Sequence, residues 1–169
     1  DAAYGGFFLL SDTGKARIKG VELADSVVMD PHKGLFLPYG IGAVLVKDSH
    51  QLYRSHHYSA NYMQDSLAAN EEVSPSEVSP ELTKHFRGLR MWLSLQYFGV
   101  SPCRAALEEK IQLARYFYQV LESKPGFEVG PEPALSVVLF RFVPKATSAD
   151  AFNQSLIQRL QASGRVFMS

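Results

Sequence analysis

Lys33 stands in "VVMDPHKGLFLPYGIGAVLVKD", residues 27 to 48, between two apolar runs, the second punctuated by Gly40 and Gly42. A primary amine attacks a carbonyl carbon to form an imine, provided it is held and partly stripped of water so that its neutral form is reached. A solvated surface lysine needs no such flanks. Asp1, followed by Ala2 and Ala3, offers a carboxylate at a strand end beside small side chains. Asp30-Pro31-His32-Lys33 places an imidazole next to the amine, just past a second strand end. Taken singly, each has an ordinary structural explanation. An aspartate at a strand end is commonly a cap or turn residue. A His-Lys pair after proline is commonly a solvated turn, and a lone histidine a structural hydrogen-bonder. Together they place amine, carboxylate and imidazole at strand termini, where open α/β sheets bind ligands.

That set matches what pyridoxal 5'-phosphate (PLP) asks of a protein. A lysine must take its aldehyde, and an acid must keep its ring nitrogen protonated so that the ring accepts electrons. Small side chains must let the ring lie flat, and donors must hold the phosphate.

The rest of the chain must position those groups. It has 169 residues, 46% of them hydrophobic, enough for a core in one domain or in parts of two. Net charge is zero and the pI is near 7.1, which argues against a nucleic-acid or polybasic membrane surface. The single cysteine, Cys103, excludes an internal disulfide and a CxxC metal site, so no metal is expected. It agrees with a cytoplasmic location. No apolar run approaches the ~20 residues of a membrane helix, and no signal peptide opens the chain. Asp1 in first position and a closing "GRVFMS" that reads as a strand just begun lead us to expect an internal piece of a longer protein.

"SVVMD" (26–30) and "GAVLVKD" (42–48) read as short buried strands. Asp48 is placed to cap a short helix. Residues 64 to 81 lose all periodicity in favour of Ser, Glu, Pro and Asn, and read as a mobile loop. Leu82, Phe86, Leu89, Leu93 and Tyr97 then fall on one helical stripe that Gly99 ends. Ser101-Pro102 restarts a helix whose stripe is Leu107, Ile111, Ala114, Tyr118 and Leu121. "KPG" (124–126) breaks it, "SVVLFRF" (136–142) reads as a strand, and Thr147 with Asp150 caps a last helix. The order of elements predicts an α/β chain divided near residue 99.

"DAAYGG", "ADSVVMDPHKGLFLPYGIGAVLVKD" and "HFRGLRMWLSLQYFGV" together resemble the group II PLP-dependent amino-acid decarboxylases, a family of aromatic-amino-acid, histidine, glutamate and cysteine-sulfinate decarboxylases. The resemblance runs through nearly the whole chain and is strongest over 1–48 and 82–100. It implies the PLP-dependent transferase-like fold (fold type I). Residues 1–98 would be the C-terminal part of the large PLP-binding domain, with its mobile loop at about 64–84. Residues 99–169 would begin the small C-terminal α/β domain. It implies that Lys33 carries the cofactor as an imine, that Asp1 pairs with the ring nitrogen, that Ala3 packs on the ring, and that His32 lies near the phosphate and the imine. The implied reaction converts an amino acid to an amine and carbon dioxide, in a homodimer.

The chain departs from the family pattern twice. Asparagine is frequent before Pro-His-Lys, where it donates to the phosphate; here it is Asp30, whose charge would repel that phosphate unless it turns to backbone amides. Aromatic-type members bring a tyrosine on the mobile loop to reprotonate the product carbon; residues 64 to 84 hold none, and Tyr58, Tyr62 and His85 flank them. Loss of that tyrosine is associated in relatives with aldehyde-forming chemistry, so an aldehyde synthase or another fold-type I enzyme is the alternative outcome. A catalytically incompetent piece is the non-enzymatic one. Arg87 and Arg90 are read as surface or interface charges, and Trp92 as core or dimer interface.

Overall fold

A computed structural model describes residues 1–57 and 73–168. The described chain divides into two compact units, Asp1–Arg104 and Ala105–Ser169, the division falling inside one helix.

The first unit is built around a short antiparallel pair, β1 (Ser26–Met29) and β2 (Ala43–Val46), in the register Val28↔Val44 and Met29↔Ala43. The opening residues run alongside β1 in the same direction: Ala2 N–H donates to Val28 O (3.0 Å) and Asp30 N–H to Ala3 O (3.1 Å). A 3-10 turn, Gly6–Leu10, follows and packs on β1 through a glycine, since a Cβ on Gly6 would lie 2.7 Å from the Met29 side chain. Ser11 ends that turn and caps α1 (Asp12–Arg17), accepting from Gly14 N–H at 3.0 Å while its hydroxyl donates to Phe8 O. Phe8, Ser11, Met29, Pro31, Leu35 and Ile41 are buried here.

The two strands fall where the pattern places them, but they are not the buried strands expected. Val28, Val44 and Leu45 are exposed. A two-stranded ribbon has two faces to cover, and in this unit burial reaches mainly the Met29 end.

Beyond a single-turn α2 (Pro31–Gly34), this unit carries α3 (Ser49–His56), capped by Asp48 as expected, whose Oδ1 accepts from His50 N–H at 3.0 Å. α4 (Arg87–Phe98) ends at Gly99, φ 75°, as the pattern predicts. It begins later than the apolar stripe does: Leu82 and Phe86 lie outside it, in a stretch where Glu81 pairs with Arg87. Trp92 is not core; it is exposed, as are Leu93 and Tyr97 on the same helix. Of the expected 64–84 loop, residues 64–72 lie outside the described residues, as do Tyr58 and Tyr62; 73–84 form turns without helix or strand.

The second unit is led by α5 (Ser101–Glu122), most of which it contains. Leu107, Ile111, Ala114 and Leu121, spaced four, three and seven apart, are its buried residues. Gly126, φ 86°, turns the chain into β3 (Phe127–Val129), which pairs antiparallel with β4 (Phe140–Phe142). β3 was not expected, because "FEV" is too short to show a period. β4 keeps only the last three residues of the expected 136–142 strand, the part β3 is long enough to pair. Phe127, Phe142 and Phe152 pack in a chain, the first pair edge to face and the second tilted, with centroids 5.2 and 5.3 Å apart. Asn153 closes the strand edge, accepting from Phe142 N–H (2.9 Å) and donating to Phe142 O (2.7 Å). Asn153 belongs to α6 (Ala149–Ala162), which Ser148 precedes; Thr147 is not the flanking cap residue, and no side-chain cap bond forms. Residues 166–168 form no strand.

Ile111 is fully buried, so Ile111→Ala should lower unfolding free energy by about 2–5 kcal/mol. Gln112→Ala, on the exposed side of the same turn, should change it by less than about 0.5 kcal/mol. Urea denaturation of both variants checks the pair.

Candidate active site

The site grows from the end of β1. Pro31 starts a single helical turn, α2 (Pro31–Gly34), its fixed φ suiting the first helical position. Lys33 and Gly34 N–H both donate back to Asp30 O, at 3.0 and 3.2 Å. Gly34 lets this turn approach the neighbouring 3-10 turn, since a Cβ there would lie 2.5 Å from Phe7 Cβ. The next residues are held hard: Phe36 takes φ 58°, a left-handed conformation that costs an L-residue roughly 1–2 kcal/mol, with Leu35 and Ile41 buried on either side.

Next to Lys33 only Met29, Pro31, Gly34, Leu35 and Ile41 are buried; the rest of its apolar flanks are not, and neither is the lysine. Its side chain is 42% exposed, and Nζ lies 2.7 Å from Asp30 Oδ2. The expectation of a desolvated amine is therefore corrected. Some flanking apolar residues bury themselves, while a four-carbon stem carries its head to water. Asp30 does not turn to backbone amides, the first of the two arrangements the sequence left open. Its side chain makes no cap bond to backbone amides; it faces the amine three residues on. The hydrogen bond from Lys33 holds the Asp30 carboxyl below its ordinary value of 3.8, aided by the charge of Lys33 and, last, of His32.

His32 lies on the same turn. Its Nδ1 is 3.1 Å from Ile41 O, and a carbonyl only accepts, so the proton sits on Nδ1. Nε2 then faces Asp30 Oδ2 at 3.8 Å. Tyr39 packs its ring against the imidazole, centroids 4.9 Å apart. Sequence reasoning did not single out Tyr39. Its signal was faint: an aromatic one position before the Gly40 that the turn requires, φ 88°. Arg90, read as a surface or interface charge, donates from Nη1 to Tyr39 O at 3.1 Å and so ties α4 to this loop. Arg87 does form a surface pair, with Glu81.

Asp1 is exposed, and its Oδ1 accepts from Ala3 N–H at 2.8 Å, the turn a leading aspartate commonly makes. Ala2 and Ala3 are half-buried against β1. The structure thus brings Asp30, His32 and Lys33 into contact. It puts Asp1 and Ala3 on the hydrogen-bonded segment beside them.

This donor set suits PLP at two points: an accessible primary amine for the aldehyde, and a carboxylate on the adjoining segment for the ring nitrogen, with alanines between. Asp30 offers the phosphate nothing, being an anion engaged with Lys33.

The family described as the pyridoxal-dependent decarboxylase conserved domain matches residues 1–143. The aromatic-L-amino-acid decarboxylase of Bacillus atrophaeus is 34% identical over 100% of this chain and 36% of its own length. The L-2,4-diaminobutyrate decarboxylase of Acinetobacter baumannii is 34% identical over 97% of this chain and 33% of its own. Among solved structures, Oryza sativa TDC with PLP and tryptamine superposes with a TM-score of 0.90, at 26% identity, over 100% of this chain and 36% of that one. The chain therefore spans about a third of the length of the relatives it matches, and its fold is that of the fold-type I PLP enzymes.

Because the folded-state Asp30 carboxyl titrates below 3.8, its pairing should stabilise the fold fully above that value. The contribution should be lost as pH falls through the lower, folded value. Urea denaturation from pH 3 to 7 should show a stability gap between wild type and Asp30→Asn that is constant above about pH 5 and closes in acid.

Proposed function

The chain belongs to the pyridoxal-dependent decarboxylase family, and from that premise we propose that the whole protein decarboxylates an amino acid to an amine and carbon dioxide with PLP as cofactor. The observation that carries this is the placement of Lys33. Its amine stands accessible at the end of β1, with the Asp1–Ala3 segment hydrogen-bonded alongside.

PLP, when bound, supplies an electron sink for the pair left on the α-carbon as the carboxylate departs. The chain's own residues do the rest. Lys33 offers Nζ as the point of covalent attachment and, once free, as an amine that can carry a proton. Asp1 offers a carboxylate that favours a proton on a facing ring nitrogen. Ala3 leaves space for a flat ring. His32, fixed by its Nδ1–H bond to Ile41, presents Nε2 at a set position as a proton acceptor or donor. Arg90 and Tyr39 keep the loop that carries Ile41 in place.

The same reading assigns residues 1–98 to the C-terminal part of the large domain and 99–169 to the start of the small one. It extends to a cytoplasmic homodimer acting on a small-molecule amino-acid substrate. The exposed apolar side chains of α4, Trp92, Leu93 and Tyr97, support a dimer surface. Among the described residues no helix is long and apolar enough to cross a membrane. A second outcome, an aldehyde from the same amino acid, is favoured by one feature: residues 64–84 contain no tyrosine to return a proton to the product carbon.

Borohydride reduction of the protein with PLP should fix a pyridoxyl group on Lys33, and Lys33→Ala should lose both label and turnover. Asp1→Asn should keep the label but lose on the order of 10²-fold or more in kcat. Label on other lysines alone would remove Lys33 from this role. Amine as sole organic product decides for decarboxylation; aldehyde with ammonia and peroxide decides for the second outcome.

A further inference from the structure

The ion pair between Lys33 and Asp30 is not accounted for by the roles above. Three facts define it. Asp30 Oδ2 is 2.7 Å from Nζ, the i,i+3 spacing fixed by the α2 turn. Asp30 makes no side-chain cap bond that competes for the carboxylate. Among the described residues, the other side chain paired with Asp30 is His32, through Nε2 at 3.8 Å. Among the described residues, the 3-10 turn packed against α2 (Gly-Phe-Phe-Leu-Leu) and β1 (Ser-Val-Val-Met) bring no charge, and the opening segment beside β1 brings Asp1, whose Oδ1 accepts from Ala3 N–H. Tyr39 stacks on His32, and the Arg90 guanidinium is bound to the Tyr39 carbonyl.

An ammonium paired with a carboxylate has no lone pair to give. To attack an aldehyde, Nζ must leave Oδ2 and lose a proton to water or another base. We propose that Asp30 is a positioning residue that holds Lys33 in a latched, unreactive state until an incoming carbonyl group competes for the amine. The proposal rests on Lys33 being the attachment point. It adds that the residue before Pro-His-Lys governs when that amine reacts. The step balances simply: the amine nitrogen adds to the carbonyl carbon, its proton passes to solvent, and water leaves as the imine forms. Asp30, relieved of its partner, keeps its charge.

Two reagents separate this proposal from the reading it rests on. Acetic anhydride acylates any free amine and needs no cofactor site; PLP with borohydride reports the site. Both are applied to the folded full chain at a series of pH values, with Lys19 and Lys47 as internal references and modification mapped by peptide mass. In Asp30→Asn, acylation of Lys33 relative to Lys47 should rise about threefold near pH 7, the scale of a partly exposed ion pair. The ratio should converge with wild type above about pH 11, where lysine ammonium is lost in both. Asp30→Glu restores a carboxylate and should bring the ratio back toward wild type, which a purely structural role for Asp30 would not do. Circular dichroism confirms that each variant is folded. Equal Lys33 ratios in wild type and Asp30→Asn would overturn the latch. Acylation that rises while PLP labels Lys33 in neither protein would uphold the latch and sink the attachment role.

Discussion

Everything at the site depends on one stretch of backbone pairing. Ala2 N–H on Val28 O and Asp30 N–H on Ala3 O bind the opening residues of the chain to β1, running the same way. Two segments that run together end together, so the residues after Ala3 and the Pro31 turn leave the paired stretch at the same end. Glycines then set the depth of packing. Gly6 and Gly34 let the 3-10 turn contact β1 and α2 at distances no Cβ tolerates. A methyl group at either position would push the turn off the strand end, and Lys33 with it.

Around that anchor the loop from Leu35 to Gly42 is folded back on the site. Its restraints come from three directions: the His32 imidazole on Ile41 O, the Tyr39 ring on His32, and Arg90 from a helix fifty-one residues away on Tyr39 O. Phe36 at φ 58° shows that this closure strains the backbone. The result is an amine whose neighbours are fixed while it stays open to water. This suits the attachment role proposed for Lys33. Charge reinforces geometry: Asp30 Oδ2 lies 2.7 Å from Lys33 Nζ, the nearest cation to it among the described residues.

The second unit is held together by contacts of its own. It is made by an amphipathic helix, a line of phenylalanines, and one asparagine that satisfies both backbone groups of Phe142. Its polar bookkeeping is local, as in any small α/β unit.

The sequence by itself determined the residues that could act and the elements that carry them. Lys33, His32, Asp1 and Ala3 stood out as candidates because the pattern sets amine, imidazole and carboxylate at the ends of expected strands. The α5 stripe, the Asp48 cap and the Gly99 stop were legible because helix period and cap chemistry are local in the chain. The tertiary structure alone decided what was not local. That Lys33 is exposed and Asp30 faces it depends on side-chain direction off one turn. That Arg90 reaches Tyr39 depends on how a distant helix lies over the loop. That β3 exists at all depends on β4 being there to pair with it, since three residues have no period of their own and a strand is stabilised by its neighbour. The exposure of Val28, Val44 and Leu45 follows the same rule. An apolar pattern says which side chains seek cover, and only the packed structure says which of them find it.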